Sequence, residues 1–320
     1  DGLTSDTELP TSPGTELDFR VLPAGGIGDV TGDDRTDLIL HVTDDVEDER
    51  GRRFLNVSPD REIERSTDIR IPTGHQLDQI TQTSELGDIN GDGTGDFAVV
   101  RSALDQIEIY YGGESIPETP ARTLQVASDT LEPASISTGD VTGDGNPDLV
   151  VGYSRGERVD VYEGGGPLGP NPDRSITASE AGAEALRKPE VVGDIDGDGT
   201  EDVLASNKGE IGLGDVPERL FLFFGGTPLP SQPDRTIEYS DSSTEHVLAS
   251  IGDVNGGGVP DFAVGRPELN SSGGGAEGQV DIYFGENSGS FSEPDVTLNP
   301  ETSTQDIRRF GGAIASGDFN

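Results

Sequence analysis

Short runs of apolar or alternating residues, each closed by glycine or a polar turn, recur along the chain. They include "DFAVV" from Asp96, "QIEIYYGG" from Gln106, "DLVVG" from Asp148 and "RVDVYEGG" from Arg158. Alternation with a period of two, or a short run that is apolar throughout, is typical of β-strands. No segment shows helical periodicity of useful length. The pattern therefore predicts an all-β protein.

The strands belong to a long repeat that carries two markers. The first is an acidic motif that leads into an apolar run: "GDVTGDDRTDLIL" from Gly28, "GDINGDGTGDFAVV" from Gly87, "GDVTGDGNPDLVV" from Gly139, "GDIDGDGTEDVLA" from Gly193 and "GDVNGGGVPDFAV" from Gly252. The second is a proline marker: "PDREI" from Pro59, "PARTL" from Pro120, "PDRSI" from Pro172, "PDRTI" from Pro233 and "PDVTL" from Pro294. A sixth acidic motif begins at Asp318.

Each period holds about four strands. One leads into the acidic motif, one leaves it, one is the alternating run, and one follows the proline marker. Four strands repeated every 52–65 residues are typical of the blades of a β-propeller, whereas the repeats of β-solenoids are usually much shorter. We predict a β-propeller of four-stranded blades, with five complete blades and the first strand of a sixth.

The acidic motifs have the composition of calcium-binding loops. In "DINGDGTGD" from Asp88, oxygen-bearing side chains occupy positions 1, 3, 5 and 9, and position 7 offers its main-chain carbonyl. Calcium takes six to eight hard oxygen ligands, which alternate residues of a tight loop supply. Asp/Asn/Gly hairpin turns are the competing interpretation, but a turn does not require carboxylates at positions 1, 5 and 9 together. We predict three to five structural calcium sites.

We number the acidic loops 1 to 5 in chain order, and each has its own set of expected ligands. Three loops carry the full pattern: Asp88, Asn90, Asp92, Thr94 and Asp96 in loop 2; Asp140, Thr142, Asp144, Asn146 and Asp148 in loop 3; Asp194, Asp196, Asp198, Thr200 and Asp202 in loop 4. Loop 1 has Asp34 in place of a glycine, and its ligands would be Asp29, Thr31, Asp33, Arg35 (main chain) and Asp37. Loop 5 has Gly257 at position 5, which leaves Asp253, Asn255 and Asp261.

These loops, together with "FGGAIASGDFN" from Phe310, resemble FG-GAP repeats, the repeats of the integrin α-subunit β-propeller. The resemblance runs from about Val21 to Asn320. It implies six or seven blades in the intact protein, with calcium in the loop between the first and second strands of some of them. Residues 1–320 are then expected to form a single propeller, cut short at its C-terminus, after a disordered segment at 1–14.

The N-terminal run "PGTELDFRVL" from Pro13 aligns loosely with the proline-marker strand, which is the last strand of a blade. A strand of that kind at the N-terminus would close the ring by completing the C-terminal blade. We therefore predict that this run belongs to the last blade.

The charge of the chain restricts its environment and its partners. The formal net charge is −41, from 62 acidic residues against 21 Lys+Arg, and the lysines are Lys188 and Lys208. Such a chain is repelled by nucleic acid and by anionic membrane surfaces. At molar salt the Debye length falls to about 3 Å, which screens the self-repulsion. Acidic excess with so little lysine resembles haloarchaeal proteins; an acidic calcium-binding protein from an ordinary habitat is the alternative.

No catalytic pattern accompanies the repeats. The chain has no cysteine, and His41, His75 and His246 show neither metal-ligand nor triad spacing. We therefore expect a binding protein rather than an enzyme: an exported cell-adhesion or recognition module that contacts a cell-surface protein or glycan. A structural subunit of a surface layer, filament or virion, formed by self-assembly, is one alternative. The propeller of a carbohydrate-active enzyme is another.

The expected location of this module is extracellular or at the cell surface, without direct insertion into the membrane. Two sequons, at Asn270 and Asn56, are weak candidates for N-glycosylation of an exported protein.

Overall fold

The computed structural model is built from β-strands connected by turns. It describes residues 18–20, 28–32, 37–43, 51–55, 69–72, 82–101, 104–113, 116–117, 119–125, 133–153, 158–179, 181–183, 185–207, 218–239, 246–269, 277–287, 289–300 and 309–316. Within these ranges there is no α-helix, and none of the described segments could cross a membrane as a long apolar helix. The prediction of an all-β fold is confirmed.

In the described part of the chain, twenty strands form five four-stranded antiparallel sheets, each a meander of consecutive strands. We call the sheets blades 1 to 5. Blade 1 contains β1 (Asp18–Arg20), β2 (Leu38–Thr43), β3 (Gly51–Leu55) and β4 (Ile69–Pro72); blade 2 contains β5 (Gln82–Gly87), β6 (Asp96–Arg101), β7 (Gln106–Tyr110) and β8 (Arg122–Gln125).

The remaining three blades repeat the same order. Blade 3 contains β9 (Pro133–Gly139), β10 (Asp148–Tyr153), β11 (Arg158–Tyr162) and β12 (Arg174–Thr177). Blade 4 contains β13 (Arg187–Gly193), β14 (Asp202–Ser206), β15 (Glu218–Phe223) and β16 (Arg235–Tyr239). Blade 5 contains β17 (Val247–Gly252), β18 (Asp261–Arg266), β19 (Gln279–Tyr283) and β20 (Val296–Leu298). This blade architecture is the predicted one, with each acidic loop between the first and second strands.

One strand lies elsewhere than predicted. β1 pairs with β2, with Phe19 opposite Val42, and is the first strand of blade 1. The assignment of the N-terminal run to the last blade was wrong: its resemblance to the proline marker is a short local pattern, and the strand pairs with β2. The expected first strand of a sixth blade is not formed within residues 309–316, where Phe310 makes only an isolated parallel bridge with Gly278; the sixth acidic motif, from Gly317, lies outside the described residues.

The chain divides into two compact units, Asp1–Val126 and Ala127–Asn320. In the first unit, the second and third strands of blade 2 bury their side chains on both faces, as Phe97, Val99, Ile107 and Ile109 show with at most 1% exposure. The rings of Phe97 and Tyr110 stack with their centroids 4.9 Å apart.

In the second unit, blade 4 packs between blades 3 and 5. Val203, Ala205, Phe221 and Phe223 of blade 4 belong to one apolar cluster with residues of blade 3. Their alternate neighbours Leu204, Leu220 and Leu222 belong to another cluster with residues of blade 5. Successive strand residues point to opposite faces, so a strand with neighbours on both sides must be apolar throughout. This explains the continuous run "LFLF" in β15.

A partly buried carboxyl on the first strand of blade 4 predicts a pH-dependent stability. Burial raises the pKa of Glu190 to about 7, although a hydrogen bond with Ser137 opposes the shift. An acid whose pKa is higher in the folded chain than in the unfolded chain binds a proton on folding. Its contribution to stability is therefore lost as the pH rises through about 7.

We expect the free energy of unfolding to fall by about 1–3 kcal/mol more in the native chain than in Glu190→Gln between about pH 5 and pH 8. Urea unfolding at fixed salt and calcium measures the difference. Glu163→Gln, at an exposed position, is the matched control and should follow the native curve. Parallel curves for the native chain and Glu190→Gln would contradict the assignment.

Candidate metal sites in the acidic loops

Loops 2 to 5 share one backbone conformation, set by the first aspartate and by glycines. In loop 2, Asp88 accepts the main-chain N–H of Asp92 at 2.9 Å and of Gly93 at 2.8 Å. Gly91 and Gly93 have φ of 75° and 94°, a region that residues with a Cβ rarely adopt. Equivalent bonds to the first aspartate form in loops 3, 4 and 5. The glycines at positions 4 and 6 have a positive φ in all four loops and so allow the tight turn.

Loop 5 shows which residues the turn requires, because it lacks one of the carboxylates expected of a metal site. It has glycine at position 5, yet the N–H groups of Gly257 and Gly258 still bond to Asp253 at 2.9 and 2.8 Å. The turn therefore forms without a carboxylate at position 5. The aspartates at this position in loops 2, 3 and 4 each accept the main-chain N–H of position 7. Loop 5 shows that the turn does not need this bond, which favours an additional ligand role for them.

The aspartate at position 9 is fully buried and connects its loop to the rest of the blade. Asp202 accepts the N–H of Ile195 at 2.9 Å through Oδ2 and the N–H of Gly225, in the turn after β15, at 2.8 Å through Oδ1. The same two kinds of bond are made by Asp96, Asp148 and Asp261. This residue was predicted only as a ligand, and the structure gives it a second, architectural role.

The electrostatics of position 9 favour a nearby cation. Burial raises the pKa of Asp96 to about 6 and that of Asp202 to about 7; in each case main-chain N–H groups oppose the shift and the other loop aspartates add to it. Burial likewise raises the pKa of Asp148. A divalent cation among these carboxylates would stabilise their charged forms.

The carboxylates of loop 4 converge. One oxygen from each of Asp194, Asp196 and Asp202 lies within 4.8 Å of the other two. Within the described part of the chain this is the one group of three or more acidic, histidine or cysteine side chains that meets so closely. All-oxygen donor sets suit calcium and magnesium rather than softer metals. Loop 4 therefore fits a hard divalent cation.

Loops 2 and 3 bring their predicted ligands together less completely. In loop 2, Asn90 donates to Asp92 at 3.0 Å, and the Thr94 hydroxyl donates to the same carboxylate at 2.5 Å. In loop 3, Thr142 is 8% exposed, and its main-chain N–H donates to the Asp148 carboxylate at 3.0 Å. Positions 3 and 5 of loop 2, and positions 3 and 9 of loop 3, are thus neighbours.

Loop 1 lies only partly within the described residues, whereas loop 5 is described throughout. In loop 1, Asp29 accepts the N–H of Gly32 at 2.7 Å, and the buried Asp37 accepts those of Val30 and Thr31. The predicted ligands Asp33 and Arg35 lie outside the described residues, as do both sequon asparagines, Asn56 and Asn270. In loop 5, the Asn255 amide donates to Asp261 at 3.1 Å.

A second set of aspartates, in the proline marker, has a structural role that the sequence analysis did not predict. Asp173, Asp234 and Asp295 each accept the main-chain N–H of the first residue after the third strand, at 3.0, 2.9 and 2.8 Å. The recurrence of "PD" was the available signal. In blade 2 the marker has alanine, and Ala121 keeps the accompanying main-chain bond to Ile109.

A buried polar cluster joins blades 4 and 5. Ser206 Oγ lies 2.5 Å from His246 Nδ1, His246 Nε2 contacts Glu218, and Arg266 Nε lies 3.0 Å from Glu218 Oε1. All four residues are at most 2% exposed, so the serine–histidine pair is shielded from solvent. Sequence spacing could not reveal this cluster, because its members come from several strands and lie up to 60 residues apart.

The sheets, their meander order and the acidic loops define a repeat protein of the β-propeller type. The sequence profile of the FG-GAP-like repeat matches residues 88–151 and 140–205. These residues, which include loops 2, 3 and 4, are FG-GAP-like repeats, as the sequence resemblance predicted.

Other known proteins resemble larger parts of the chain. Integrin alpha-PS2 of Drosophila melanogaster is 26% identical over 226 residues, an alignment that covers 62% of this chain and 15% of the integrin. The chain thus spans a small part of the curated relative that it matches.

Two crystal structures of BBS1N in complex with ARL6DN, soaked with mercury and with lead, resemble this chain at 11% identity with TM-scores of 0.46 and 0.41. The first comparison covers 91% of this chain and 68% of the other; the second covers 85% and 80%. These likenesses add nothing to what the sheet topology already shows.

Proposed function

We propose that this chain is a calcium-stabilised recognition module, displayed outside the cell in a high-salt environment. The observation that carries the proposal is the convergence of Asp194, Asp196 and Asp202 within 4.8 Å, in a loop that belongs to an FG-GAP-like repeat. Three carboxylates at this separation repel one another strongly unless a cation lies among them. Calcium in such loops would stabilise the folded state and take no part in catalysis.

The recognition role rests on the similarity to integrin alpha-PS2 and is an argument by analogy. The proposed partners are a cell-surface protein or a glycan. Nucleic acid is an unfavourable partner, because the net charge of −41 repels its phosphates. The same charge favours an environment in which concentrated salt screens it. We propose binding rather than catalysis, since the serine–histidine pair of blades 4 and 5 is buried.

Retention of the fluorescently labelled chain on a glycan array and on haloarchaeal cells tests this function. In about 3 M NaCl, where long-range attraction is screened, we expect saturable retention with calcium and at least about tenfold less with a chelator. In the control, calcium added in excess of the chelator should restore the retention. Equal, non-saturable retention in both buffers would overturn the recognition role. Ordered assemblies of the purified chain without retention would favour a structural subunit.

A further inference from the structure

We infer that loops 3 and 4 bind cations cooperatively, through a reciprocal contact between Asp140 and Glu201. This inference rests on the cation binding proposed above and specifies how two of the sites are connected. Asp140 is position 1 of loop 3 in blade 3, and Glu201 is position 8 of loop 4 in blade 4. The contact therefore crosses from one blade to the next.

Two hydrogen bonds join these residues in opposite directions. The main-chain N–H of Glu201 donates to the carbonyl oxygen of Asp140 at 2.9 Å. The main-chain N–H of Asp140 donates to Glu201 Oε2, also at 2.9 Å. The carboxylate lies directly on the backbone that precedes Asp140, since a Cβ added to Gly139 would lie 1.8 Å from Glu201 Oε2. The position of each residue is thus set by the other.

Both residues are adjacent to groups that organise their own loops. The Asp140 side chain accepts the N–H groups of Asp144 and Gly145 and so holds the turn of loop 3. Glu201 immediately precedes Asp202, which holds loop 4 through Ile195 and Gly225. A cation that orders one loop fixes the 140–201 pair and reduces the ordering cost for a cation in the other loop. This is positive coupling without a large change of structure.

The equivalent contacts between loops 1 and 2 and between loops 4 and 5 differ from the contact between Asp140 and Glu201. Between loops 1 and 2, the N–H of Gly95 donates to the carbonyl of Asp29 at 3.1 Å. The carboxylate next to Gly28 there belongs to Glu85 in β5 and not to position 8, which is a glycine. Between loops 4 and 5, position 8 is Pro260, which has neither the N–H nor a carboxylate. Only in loops 3 and 4, among these three pairs, does the residue at position 8 supply both the N–H and the carboxylate of the contact, so we assign the strongest coupling to them.

The prolines at position 8 of loops 3 and 5 suggest a variant that tests the contact. Loops 3 and 5 have Pro147 and Pro260 at position 8, so the shared backbone conformation accepts proline there. Glu201→Pro therefore removes both bonds of the pair in a compatible conformation. Glu201→Gln is the matched control, because it keeps the N–H and an amide oxygen as acceptor while it removes the charge.

Calcium titration followed by NMR measures each loop separately, with the amides of Gly145 for loop 3 and Gly199 for loop 4. Disabling loop 3 by Asp144→Asn should raise the calcium midpoint at Gly199 by about fivefold or more. In Glu201→Pro the same change should raise it by less than about twofold, whereas Glu201→Gln should keep most of the effect. Glu201→Ala, which removes only the side-chain bond, should give an intermediate value and replaces Glu201→Pro if that variant does not fold.

The failure of the inference and the failure of the proposed function give different results. If Gly145 and Gly199 both respond to calcium but the midpoint at Gly199 is the same with and without Asp144→Asn, the sites exist and the coupling is refuted. If neither amide responds, the proposed cation binding is refuted, and the coupling with it. Equal losses of coupling in Glu201→Gln and Glu201→Pro would overturn the role of the two hydrogen bonds.

Discussion

Removal of calcium at about 3 M NaCl is expected to lower the melting temperature by about 6–10 °C, and added calcium should restore it. A site held at tenfold excess over its Kd stabilises the folded state by about 1.4 kcal/mol, so three sites contribute about 4 kcal/mol. For chains of this size, 1 kcal/mol corresponds to roughly 1.5–2.5 °C. The effect persists at high salt because bulk Na⁺ screens the surface charges but does not supply a divalent ion to each loop.

A combined variant provides the matched control for this experiment. Asp92→Asn, Asp144→Asn and Asp198→Asn remove the carboxylate at position 5 of loops 2, 3 and 4, and loop 5 shows that the turn forms without it. We expect the variant to melt near the temperature of the chelated native chain and to respond to neither calcium nor chelator. Thermal melts by circular dichroism give both values. An unchanged melting temperature of the native chain on chelation would mean that the loops are solvated turns.

Loss of the Glu218 carboxylate should destabilise the second unit by about 3–5 kcal/mol. Glu218 contacts His246 and lies 3.0 Å from Arg266 Nε, and all three side chains are at most 2% exposed. In Glu218→Ala the buried guanidinium keeps the more distant Asp281 carboxylate, 3.6 Å away. A buried charge that loses its nearest partner costs much more than a lost surface pair. Because the cluster is shielded from solvent, the loss should be nearly the same at low and high salt.

Urea unfolding of Glu218→Ala and of Arg219→Ala separates this buried cluster from a surface ion pair in the same strand. Arg219 pairs with Glu238 at 2.9 Å, but the Glu238 side chain is 62% exposed, and Arg219→Ala should cost less than about 1 kcal/mol. The double variant Glu218→Leu with Arg266→Met should lose less than the sum of the two single changes. A loss below about 1 kcal/mol for Glu218→Ala would contradict a stabilising role for the cluster.

The sequence by itself determined the features that depend on neighbouring residues. The period-2 runs and the glycine-bounded motifs identified the strands and the acidic loops. The spacing of the two markers identified four-stranded blades, which the meander sheets confirm. The turn bonds from Asp88 to Asp92 and Gly93 span four and five residues. Such features are readable because short-range sterics and main-chain hydrogen bonding decide them.

The tertiary structure alone decided which groups from different repeats meet. β1 pairs with β2 although its sequence resembles a last strand. Loop 4, rather than loop 2 or 3, brings three carboxylates together, and the Asp140–Glu201 contact joins residues 61 positions apart. The cluster of Ser206, Glu218, His246 and Arg266 likewise needs two blades. These contacts depend on how the sheets pack, and the burial of apolar faces drives that packing. Because the hydrophobic effect is non-directional, a local sequence pattern does not specify which faces and side chains meet.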